Sequence, residues 1–311
     1  MSIQTVGIVG GSGFLGGALA RRLAVQYQVR ILDRARPDFL GDSPRLSFQE
    51  CDVTSPVQCR TALEGVDAVF HRAGLMGNLA SMKDPMTYYS INLLGTLNVL
   101  EACRVHRVQR FIFDSTEAVY GRNLAGPITE QDRPEPNSIY GATKLAAEAA
   151  IRMYDRHHGL PTLIFRYSRT RTSGKEDAIT ILARKVLQGD PVTLYDGGEP
   201  MIDFVELDDV IEANVRAMTS PLRGEVINIC SGEGISFAGI LAAIERLSGR
   251  RPGSVRFEAV ADRPPGSEHK FGSKTFFMSI EKARRCLGWE PAVKVEASIG
   301  GSLRFLAKGG A

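Results

Sequence analysis

The first half of the chain alternates short apolar runs with longer stretches in which apolar residues recur at helical spacing. The apolar runs have the length of strands that are buried on both faces of a sheet. Strands that alternate with helices predict right-handed βαβ units, and hence an α/β fold with a doubly wound parallel sheet. The predicted strands are Val6–Val9, Val29–Leu32, Leu46–Phe48, Ala68–Phe70, Phe111–Phe113 and Thr162–Phe165. The predicted helices lie at about 14–26, 56–63, 86–105 and 139–158.

The pattern changes after the last of these strands. Glycine and proline interrupt it at Gly174, Gly189–Pro191 and Asp196–Gly198, and the helical stretches that follow are short. We therefore expect residues 1–166 to form the sheet domain, and residues 167–311 to form a smaller α/β part that mainly binds substrate. The short helices are predicted near 207–219, 236–248, 279–287 and 295–307.

The composition is that of an ordinary soluble globular protein, with 43% hydrophobic and 23% charged residues. The 38 basic and 35 acidic residues are interspersed, which argues against a surface that binds nucleic acid. No run approaches the roughly 18 apolar residues that span a membrane, and no targeting signal follows Met1. The five cysteines form no C-x-x-C pair, which predicts reduced thiols in the cytoplasm and no metal site.

A glycine-rich segment follows the first predicted strand and precedes the first predicted helix. Gly10, Gly13 and Gly16 have the spacing G-x-x-G-x-x-G, which permits a tight turn, close approach of backbone amides to a pyrophosphate, and close packing of helix on strand. Phe14 and Leu15 open the helix and are counted among the dinucleotide-binding residues. Such a triplet alone also fits a tight turn without a ligand.

Acidic residues after the second and third strands support the dinucleotide hypothesis. Asp33 ends the second strand about 20 residues after the loop, where a carboxylate accepts hydrogen bonds from ribose hydroxyls, and it favours NAD over NADP. Arg34 follows and either contacts a 2′-phosphate or lies in an exposed loop. Asp52 and Val53 are expected near the adenine, although Asp52 could equally cap the next helix.

Tyr140 and Lys144 lie four residues apart at the start of a predicted helix and therefore share one face. A tyrosine that acts as a base near neutral pH needs its pKa lowered by about 3 units, and a nearby ammonium favours the phenolate. The alternative is a packed tyrosine beside a solvated lysine. Ser115 and Thr116 place hydroxyl groups at the carboxyl end of the fifth strand, where ligands of open α/β sheets bind.

Together these residues resemble the extended short-chain dehydrogenases/reductases, and among them the nucleotide-sugar epimerases and dehydratases. The resemblance implies that Tyr140 is the acid/base, that Lys144 orients the nicotinamide ribose, and that Thr116 is the hydroxyl partner, with Ser115 a weaker substitute. It also implies that some segments after residue 166 return to the sheet. Further matching elements are Val66–His71 with Ala73, Asn92 with Gly95–Asn98, Val119–Gly121, Asp203–Val205 with Asp208–Val210, and Leu287–Trp289 with Pro291. The implied cofactor-binding residues include Ala73, Asn92, Ser115, Tyr140, Lys144 and Tyr167.

In this family the substrate hydroxyl loses a proton to the tyrosine and a hydride to the nicotinamide, which gives a ketone. The leading hypothesis is an NAD-dependent epimerase of a nucleotide-linked sugar. The alternatives are an NAD(P)H-dependent ketoreductase or dehydrogenase, a nucleotide-sugar dehydratase or decarboxylase, and a cofactor-binding protein without catalysis. The resemblance also implies a homodimer through the helices at 86–105 and 139–158.

The substrate-binding residues depart from the family pattern. Ala118 stands where dehydratases and decarboxylases usually have glutamate, which weakens the case for elimination, and Glu117 stands where dehydratases often have aspartate. Arg169 replaces a common asparagine, and Ile202 replaces an arginine that pairs with the diphosphate. Arg263 begins a segment similar to the family's Arg-Pro-Gly near the diphosphate. The predicted substrate contacts are therefore Thr116, Glu117, Arg169 and Arg263.

Overall fold

The computed structural model describes residues 3–121, 126–251, 253, 257–260 and 277–309. The chain divides into two compact units, each formed by segments that are separate in sequence. The first unit comprises Met1–Gly121, Arg133–Tyr167 and Ile211–Ile227, and the second comprises Arg122–Asp132, Ser168–Val210 and Asn228–Ala311.

The strands are β1 Thr5–Val9, β2 Gln28–Asp33, β3 Leu46–Glu50, β4 Ala68–His71, β5 Arg110–Thr116, β6 Pro127–Ile128, β7 Thr162–Tyr167, β8 Arg169–Arg171, β9 Val192–Tyr195, β10 Met201–Ile202, β11 Phe204–Glu206, β12 Glu225–Ile229, β13 Ile235–Ser236, β14 Phe257–Val260 and β15 Phe277–Met278. The helices are α1 Phe14–Leu23, α2 Pro56–Ala62, α3 Asn78–Lys83, α4 Pro85–Tyr88, α5 Gly95–Val105, α6 Ile139–His158, α7 Ala178–Gln188, α8 Leu207–Thr219, α9 Phe237–Leu247, α10 Glu281–Leu287 and α11 Val295–Ala307. A π-helical turn, Tyr89–Leu94, joins α4 to α5.

A seven-stranded sheet in the order β12-β7-β5-β4-β1-β2-β3 forms the centre of the first unit. The pairings from β3 through β7 are all parallel. All six strands predicted from the apolar runs are present, each longer than predicted by one to four residues. The α/β class with a doubly wound parallel sheet is therefore confirmed. Strand order reverses between β1 and β4, which is where ligands of such sheets bind.

Helices cover both faces of this sheet because successive strand residues point to opposite sides. Val9 and Phe113 belong to a buried cluster that also contains residues of α2, α5 and α6, such as Cys59 and Leu100. On the other face α1 packs against β1 and β2 and buries Leu19. None of the helices within the described ranges combines the length and apolarity that a bilayer crossing requires.

The second unit has its own core between α7, α9 and α11. The predicted helices at 207–219 and 295–307 have the predicted bounds, whereas α7 was not predicted. Ile179, Leu182 and Val186 give α7 a buried stripe at helical spacing, and Asp177 caps it by accepting a hydrogen bond of 2.8 Å from the amide of Thr180. Gly174 and Gly189 lie on either side of this segment and interrupt the helical pattern, so the sequence did not predict this helix.

The stretch predicted as one helix at 86–105 is instead three consecutive pieces: α4, the π-helical turn and α5. A helix over Asn78–Lys83 precedes them and was also not predicted. π-helical turns occur mostly as local bulges and often at functional sites. In this chain the turn contains Asn92, which is buried.

Candidate active site

The glycine loop connects β1 to α1 at the point where strand order reverses. Gly10 has φ +81°, and a Cβ there would lie 2.5 Å from the amide nitrogen of Ala73, which follows β4. A Cβ on Gly16 would overlap the carbonyl oxygen of Gly10. Gly10 must be glycine because of its positive φ. At Gly10 and at Gly16, neighbouring backbone atoms also lie too close to leave room for a side chain. Gly11 has the same constraint, which the spacing argument missed, because its Cβ would lie 2.8 Å from the carbonyl oxygen of Ile8.

Gly13 is the N-cap residue of α1, and no side chain caps this helix. The first turn of the helix, which includes Phe14 and Leu15, therefore presents backbone amides and the positive end of the helix dipole at the loop. This combination is suited to a phosphate group, because a glycine cradle allows the anion to approach the amides closely. The residues present thus fit the pyrophosphate of a dinucleotide.

Asp33 lies at the carboxyl end of β2, next to the glycine loop. Its carboxylate accepts hydrogen bonds from the amides of Ser12, at 3.0 Å, and Arg34, at 2.7 Å. These bonds fix the carboxylate beside the loop, and the lone pairs that they leave available suit a ribose diol. Arg34 and Arg36 are exposed.

Asp52 and Val53 follow β3. The Asp52 carboxylate accepts hydrogen bonds from the amide and hydroxyl of Thr54, at 2.9 and 2.8 Å, which lower its pKa. The alternative that Asp52 caps the next helix is wrong, because Ser55 caps α2 and accepts a hydrogen bond of 3.3 Å from the amide of Gln58. Val53 is buried. Adenine contacts by Asp52 and Val53 remain a prediction.

Asn92 holds the loop after β4, which also carries Ala73. Its side-chain oxygen accepts a hydrogen bond of 2.7 Å from the amide of Leu75. Its side-chain nitrogen donates to the carbonyl oxygen of Leu75, at 3.0 Å, and to the hydroxyl of Thr143 in α6, at 3.1 Å. Both amide hydrogens are therefore used within the protein. Asn92 positions this loop against α6, and its direct contact with a dinucleotide remains a prediction.

Tyr140 and Thr116 meet where β5 approaches the first turn of α6. Burial raises the pKa of Tyr140 to about 12, although the Thr116 hydroxyl lowers that pKa. The nearby carboxylate of Glu117 raises it further. A Cβ on Gly141 would overlap the carbonyl oxygen of Ala118, so the glycine allows the helix to pack closely against the turn that follows Thr116.

Lys144 lies one turn further along α6 and is only 5% exposed. Its Nζ is 4.3 Å from the centre of the Phe113 ring, a cation–π distance. Burial lowers the pKa of Lys144 to about 8, against the opposing influence of the Asp114 and Glu148 carboxylates. The groups that shift the pKa of Tyr140 are, besides burial, Thr116, Glu117, Asp114 and Tyr88, so an effect of Lys144 on the tyrosine remains a prediction.

The hydroxyl of Ser115 points away from Tyr140. It donates a hydrogen bond of 2.6 Å to Glu148, which is fully buried. Arg166 donates two hydrogen bonds to the same carboxylate, at 3.0 and 2.7 Å. The hydrogen of the Ser115 hydroxyl is thus used within the protein, Thr116 is the hydroxyl that acts on Tyr140, and a contact of Ser115 with the cofactor remains a prediction.

Tyr167 belongs to a buried polar network that the sequence did not reveal. Its hydroxyl lies 3.2 Å from a carboxylate oxygen of Asp114 and accepts a hydrogen bond of 2.9 Å from the amide of Asn214. Burial raises its pKa well above the ordinary value. Arg72, directly after β4, pairs with Asp114 at 2.9 Å and donates to Asn214 at 2.7 Å. The sequence signal for this network was the presence of two charged residues, Arg72 and Asp114, at the ends of two predicted buried strands.

The sequence analysis also singled out residues after position 166, in the part of the chain expected to bind substrate. Arg169 lies in β8 and is exposed, Ile202 is buried, and Arg263 lies outside the residues that the structure describes. Asp203 has a structural role, because it accepts hydrogen bonds from the amide and hydroxyl of Ser231, at 2.9 and 2.8 Å. Asp209 likewise accepts from the amide of Ala292, at 2.8 Å. The substrate contacts assigned to Thr116, Glu117, Arg169 and Arg263 remain predictions.

Comparison with known proteins decides the family. Residues 6–230 match the model of the NAD dependent epimerase/dehydratase family, which is more than half of the chain. The chain belongs to the NAD-dependent epimerase/dehydratase family. It is therefore an enzyme, and its cofactor is NAD. The family and the cofactor inferred from the sequence are confirmed.

Members of this epimerase/dehydratase family are similar to the chain over nearly its whole length. A putative UDP-glucose 4-epimerase of Methanocaldococcus jannaschii is 29% identical, with 94% of this chain and 95% of the relative covered. The crystal structure of UDP-glucose 4-epimerase from Thermotoga maritima, with UDP-glucose, has a TM-score of 0.84 at 26% identity and covers 98% of this chain and 99% of that one. UDP-glucuronic acid 4-epimerase from Bacillus cereus, in complex with UDP-glucuronic acid and NAD, has a TM-score of 0.82 at 27% identity, with 98% and 99% covered.

Proposed function

We propose that this enzyme is a 4-epimerase of a UDP-linked hexose, which acts through a transient 4-keto sugar. The observation that carries the proposal is the placement of Thr116 at the carboxyl end of β5, where its hydroxyl acts on the pKa of Tyr140 in the first turn of α6, with Lys144 one helical turn further along. Similarity along almost the whole chain to UDP-glucose and UDP-glucuronic acid 4-epimerases supports the choice of substrate class.

The side chains have distinct tasks in the proposed reaction. NAD, which the glycine loop, Asp33 and Lys144 would hold, would supply a nicotinamide for reversible hydride transfer at C4 of the sugar. Tyr140 takes the proton from the 4-hydroxyl and gives it back when the alcohol is re-formed. Thr116 lowers the pKa of Tyr140 and, in this proposal, also donates a hydrogen bond to the reacting oxygen.

Lys144 binds the nicotinamide ribose in this proposal, and its ammonium favours the phenolate form of Tyr140 once the site is assembled. The protein groups alone keep Tyr140 protonated at neutral pH, because burial raises its pKa to about 12. A positive charge close to Tyr140, such as that of the nicotinamide, favours the phenolate and so lowers the pKa of the phenol.

The alanine at position 118 favours an epimerase, which returns the hydride to the sugar, over a dehydratase, which eliminates water. Dehydration of a 4-keto sugar needs a group that removes the proton at C5, and a methyl side chain cannot do this. Glu117 is the acidic residue in this turn, and its carboxylate acts on the pKa of Tyr140. We therefore propose that Glu117 influences the pKa of Tyr140 and does not act as the base of an elimination step.

The test is a substrate panel of UDP-glucose, UDP-galactose, UDP-glucuronic acid, UDP-N-acetylglucosamine and, as a nucleotide control, TDP-glucose. Each sugar nucleotide is incubated with the enzyme and NAD, without NADH or NADPH. The products are separated by chromatography, and their masses are measured by mass spectrometry. The proposal predicts a C4 epimer of unchanged mass from at least one UDP-sugar. Loss of water or carbon dioxide would establish a dehydratase or decarboxylase, and stoichiometric formation of NADH with a product lighter by two hydrogens would establish a dehydrogenase.

We further propose that the enzyme is a homodimer through the helices at 86–105 and 139–158. Large apolar side chains are exposed on these helices: Met86 is 75% exposed, Leu94 54%, Val105 46% and Met153 44%. Burying such side chains against a second copy removes apolar surface from water, which favours association. Location in the cytoplasm remains a prediction.

A further inference from the structure

The backbone amide of Tyr140 cannot be paired within its own helix. Tyr140 is the second residue of α6, and the first amides of a helix have no carbonyl oxygen one turn before them to bond. Ser138, the N-cap residue, accepts a hydrogen bond from one of these amides, that of Gly141. The amide of Tyr140 instead donates a hydrogen bond of 3.0 Å to the hydroxyl of Ser81, in α3. A residue of another helix therefore caps the turn that carries Tyr140.

The hydroxyl of Ser81 is fixed by a second bond. Ser81 is fully buried, and its hydroxyl donates a hydrogen bond of 2.6 Å to the carbonyl oxygen of Asn78, one turn earlier in α3. The side-chain oxygen of Asn78 in turn accepts a hydrogen bond of 2.9 Å from the hydroxyl of Ser138. Two side chains of α3 thus hold the start of α6, one through its amide and one through its cap.

The segment that leads into α3 has a defined conformation of its own. Gly77, the N-cap residue of α3, has φ +105°, which favours glycine. The hydroxyl of Tyr88, in α4, donates a hydrogen bond of 2.5 Å to the carbonyl oxygen of Met76. Asn92 bonds the backbone of Leu75 in both directions. These bonds allow α3 to act as a fixed support for the helix that it caps.

The carbonyl group of Tyr140 is also held by side chains. Its oxygen accepts a hydrogen bond of 2.8 Å from the hydroxyl of Thr143. That hydroxyl in turn accepts a hydrogen bond of 3.1 Å from the side-chain amide of Asn92. The backbone of Tyr140 is therefore fixed on both sides, at its amide by Ser81 and at its carbonyl oxygen by Thr143.

The bond from Ser81 acts on the place of one turn rather than on the existence of the helix. α6 has 20 residues and buries Ala147 and Ile151 further along, and packing of such a face supplies most of the stability of a helix. Loss of one cap bond therefore affects mainly the terminal turn, where helices fray. Tyr140 lies in that turn. A displacement of about 1 Å at a reacting group can lower a rate about a hundredfold.

We propose that Ser81 is a positioning residue for Tyr140: its hydroxyl holds the amide of Tyr140 and so keeps the phenol where it exchanges a proton with the sugar. Asn78 supports it by holding the hydroxyl of the Ser138 cap. The inference rests on the acid/base role proposed above for Tyr140. Ser81 acts through the backbone of Tyr140 and takes no part in the proton transfer itself.

The first measurement tests the cap without any substrate. Amide hydrogen exchange is followed by mass spectrometry in the native enzyme and in Ser81→Ala, on peptides that cover residues 138–144 and 147–158. In Ser81→Ala the first turn of α6 should exchange about fivefold faster, as expected for the loss of one helix cap. The rest of α6 should exchange at the native rate. Native exchange in the first turn would overturn the proposal, because Ser81 would then not hold it.

The second measurement tests the consequence for catalysis. With a UDP-sugar that the enzyme turns over, kcat in Ser81→Ala should fall about ten- to a hundredfold, whereas KM and the dissociation constant of NAD should stay near their native values. Should Ser81→Ala not fold, Asn78→Ala removes only the bond to Ser138 and should lower kcat in the same way, to a smaller extent. A native kcat in the folded variant would overturn the proposal.

Ser236→Ala is the matched control. Ser236 caps α9, in the second unit, by accepting a hydrogen bond of 3.0 Å from the amide of Gly239. Its replacement removes the same kind of bond, and should lower stability to a similar extent while leaving kcat at the native value. An equal loss of kcat in Ser236→Ala would show that the rate follows stability, and would overturn the proposal.

Tyr140→Phe separates this inference from the proposed chemistry. If Ser81 acts through the phenol of Tyr140, adding Ser81→Ala to Tyr140→Phe should not lower the residual kcat further. A further fall as large as that in the native background would overturn the positioning role. If Tyr140→Phe alone keeps native turnover, the acid/base role is wrong, and the inference is overturned with it. If Tyr140→Phe is slow but Ser81→Ala is native, the positioning role alone is wrong.

Discussion

The Thr116 hydroxyl acts on Tyr140 at the junction of β5 and α6 and lowers the pKa of its phenol. β5 ends at Thr116, and Tyr140 is the second residue of α6, which begins after its N-cap residue Ser138. The amide of Gly141 donates a hydrogen bond of 3.1 Å to the Ser138 hydroxyl and so fixes the start of the helix. The reaction centre is thus built by the end of one strand and the beginning of one helix, and its parts can be tested separately.

Removing the phenol of Tyr140 should stop catalysis without preventing NAD binding. In Tyr140→Phe, kcat should fall by roughly 10²–10⁴-fold, the usual contribution of a general acid/base. Initial rates with a UDP-sugar and the dissociation constant of NAD check this prediction. Near-native turnover in a folded Tyr140→Phe enzyme would remove Tyr140 from the mechanism.

Thr116→Val keeps the shape of the side chain and removes its hydroxyl. Because the hydroxyl of Thr116 lowers the pKa of Tyr140, its loss should raise that pKa. The phenolate would then form only at higher pH, so the acidic limb of the pH profile of kcat should move upward. Thr116→Ser, which restores a hydroxyl, should move it back. An unshifted profile in Thr116→Val would contradict the assigned role.

Two glycines of the loop should tolerate an added methyl group very differently. In Gly16→Ala the new Cβ would overlap the carbonyl oxygen of Gly10, whereas in Gly13→Ala the nearest atom would lie 3.4 Å away. Overpacking of this kind costs about 1–3 kcal/mol. Gly16→Ala should therefore have the lower free energy of unfolding in urea. Equal stability of the two variants would argue against the close packing of loop on helix.

Asp33 should set the preference for NAD. Asp33→Asn keeps the shape and removes the charge, which weakens hydrogen bonds to the ribose that are worth about 1.5–3 kcal/mol when charged. The dissociation constant of NAD should rise about tenfold, and that of NADP should fall relative to it. Titration of both dinucleotides checks the ratio, and an unchanged ratio would show that other residues set the preference.

The dimer can be tested by placing a charge on its proposed surface. Leu94→Glu should give a monomer in sedimentation velocity, because a buried unpaired carboxylate opposes association. Val25→Glu is the control, since Val25 is 71% exposed and lies outside the proposed helices. A native enzyme that sediments as a monomer would contradict the proposed dimer directly.

Most of the sheet and the elements of the reaction centre could be predicted because their signals are local. Buried parallel strands are short apolar runs, and the pair Tyr140 and Lys144 depends only on the spacing of one helix. The π-helical turn at Asn92 could not be predicted in this way. Asn92 is held by Leu75 and Thr143, which are distant in sequence, so the turn depends on tertiary hydrogen bonds.

The Arg72–Asp114 pair escaped the sequence analysis for the same reason. Each residue taken alone is a charge at a strand end, and only the pairing of β4 with β5 brings the two together. The direction of the pKa shift at Tyr140 was also beyond the sequence. The spacing of Lys144 indicates an activating charge, whereas the extent of burial, which raises the pKa, depends on the packing of the whole site.

The most direct test of the proposed epimerisation follows the hydrogen at C4 of the sugar. The UDP-sugar that is turned over in the panel is prepared with deuterium at C4 and incubated with the enzyme in ordinary water. Return of the same hydride predicts that the 4-epimer carries deuterium at C4, without release into solvent or accumulation of reduced NAD. An epimer that has exchanged its deuterium for solvent hydrogen, or a product without inversion at C4, would contradict the account.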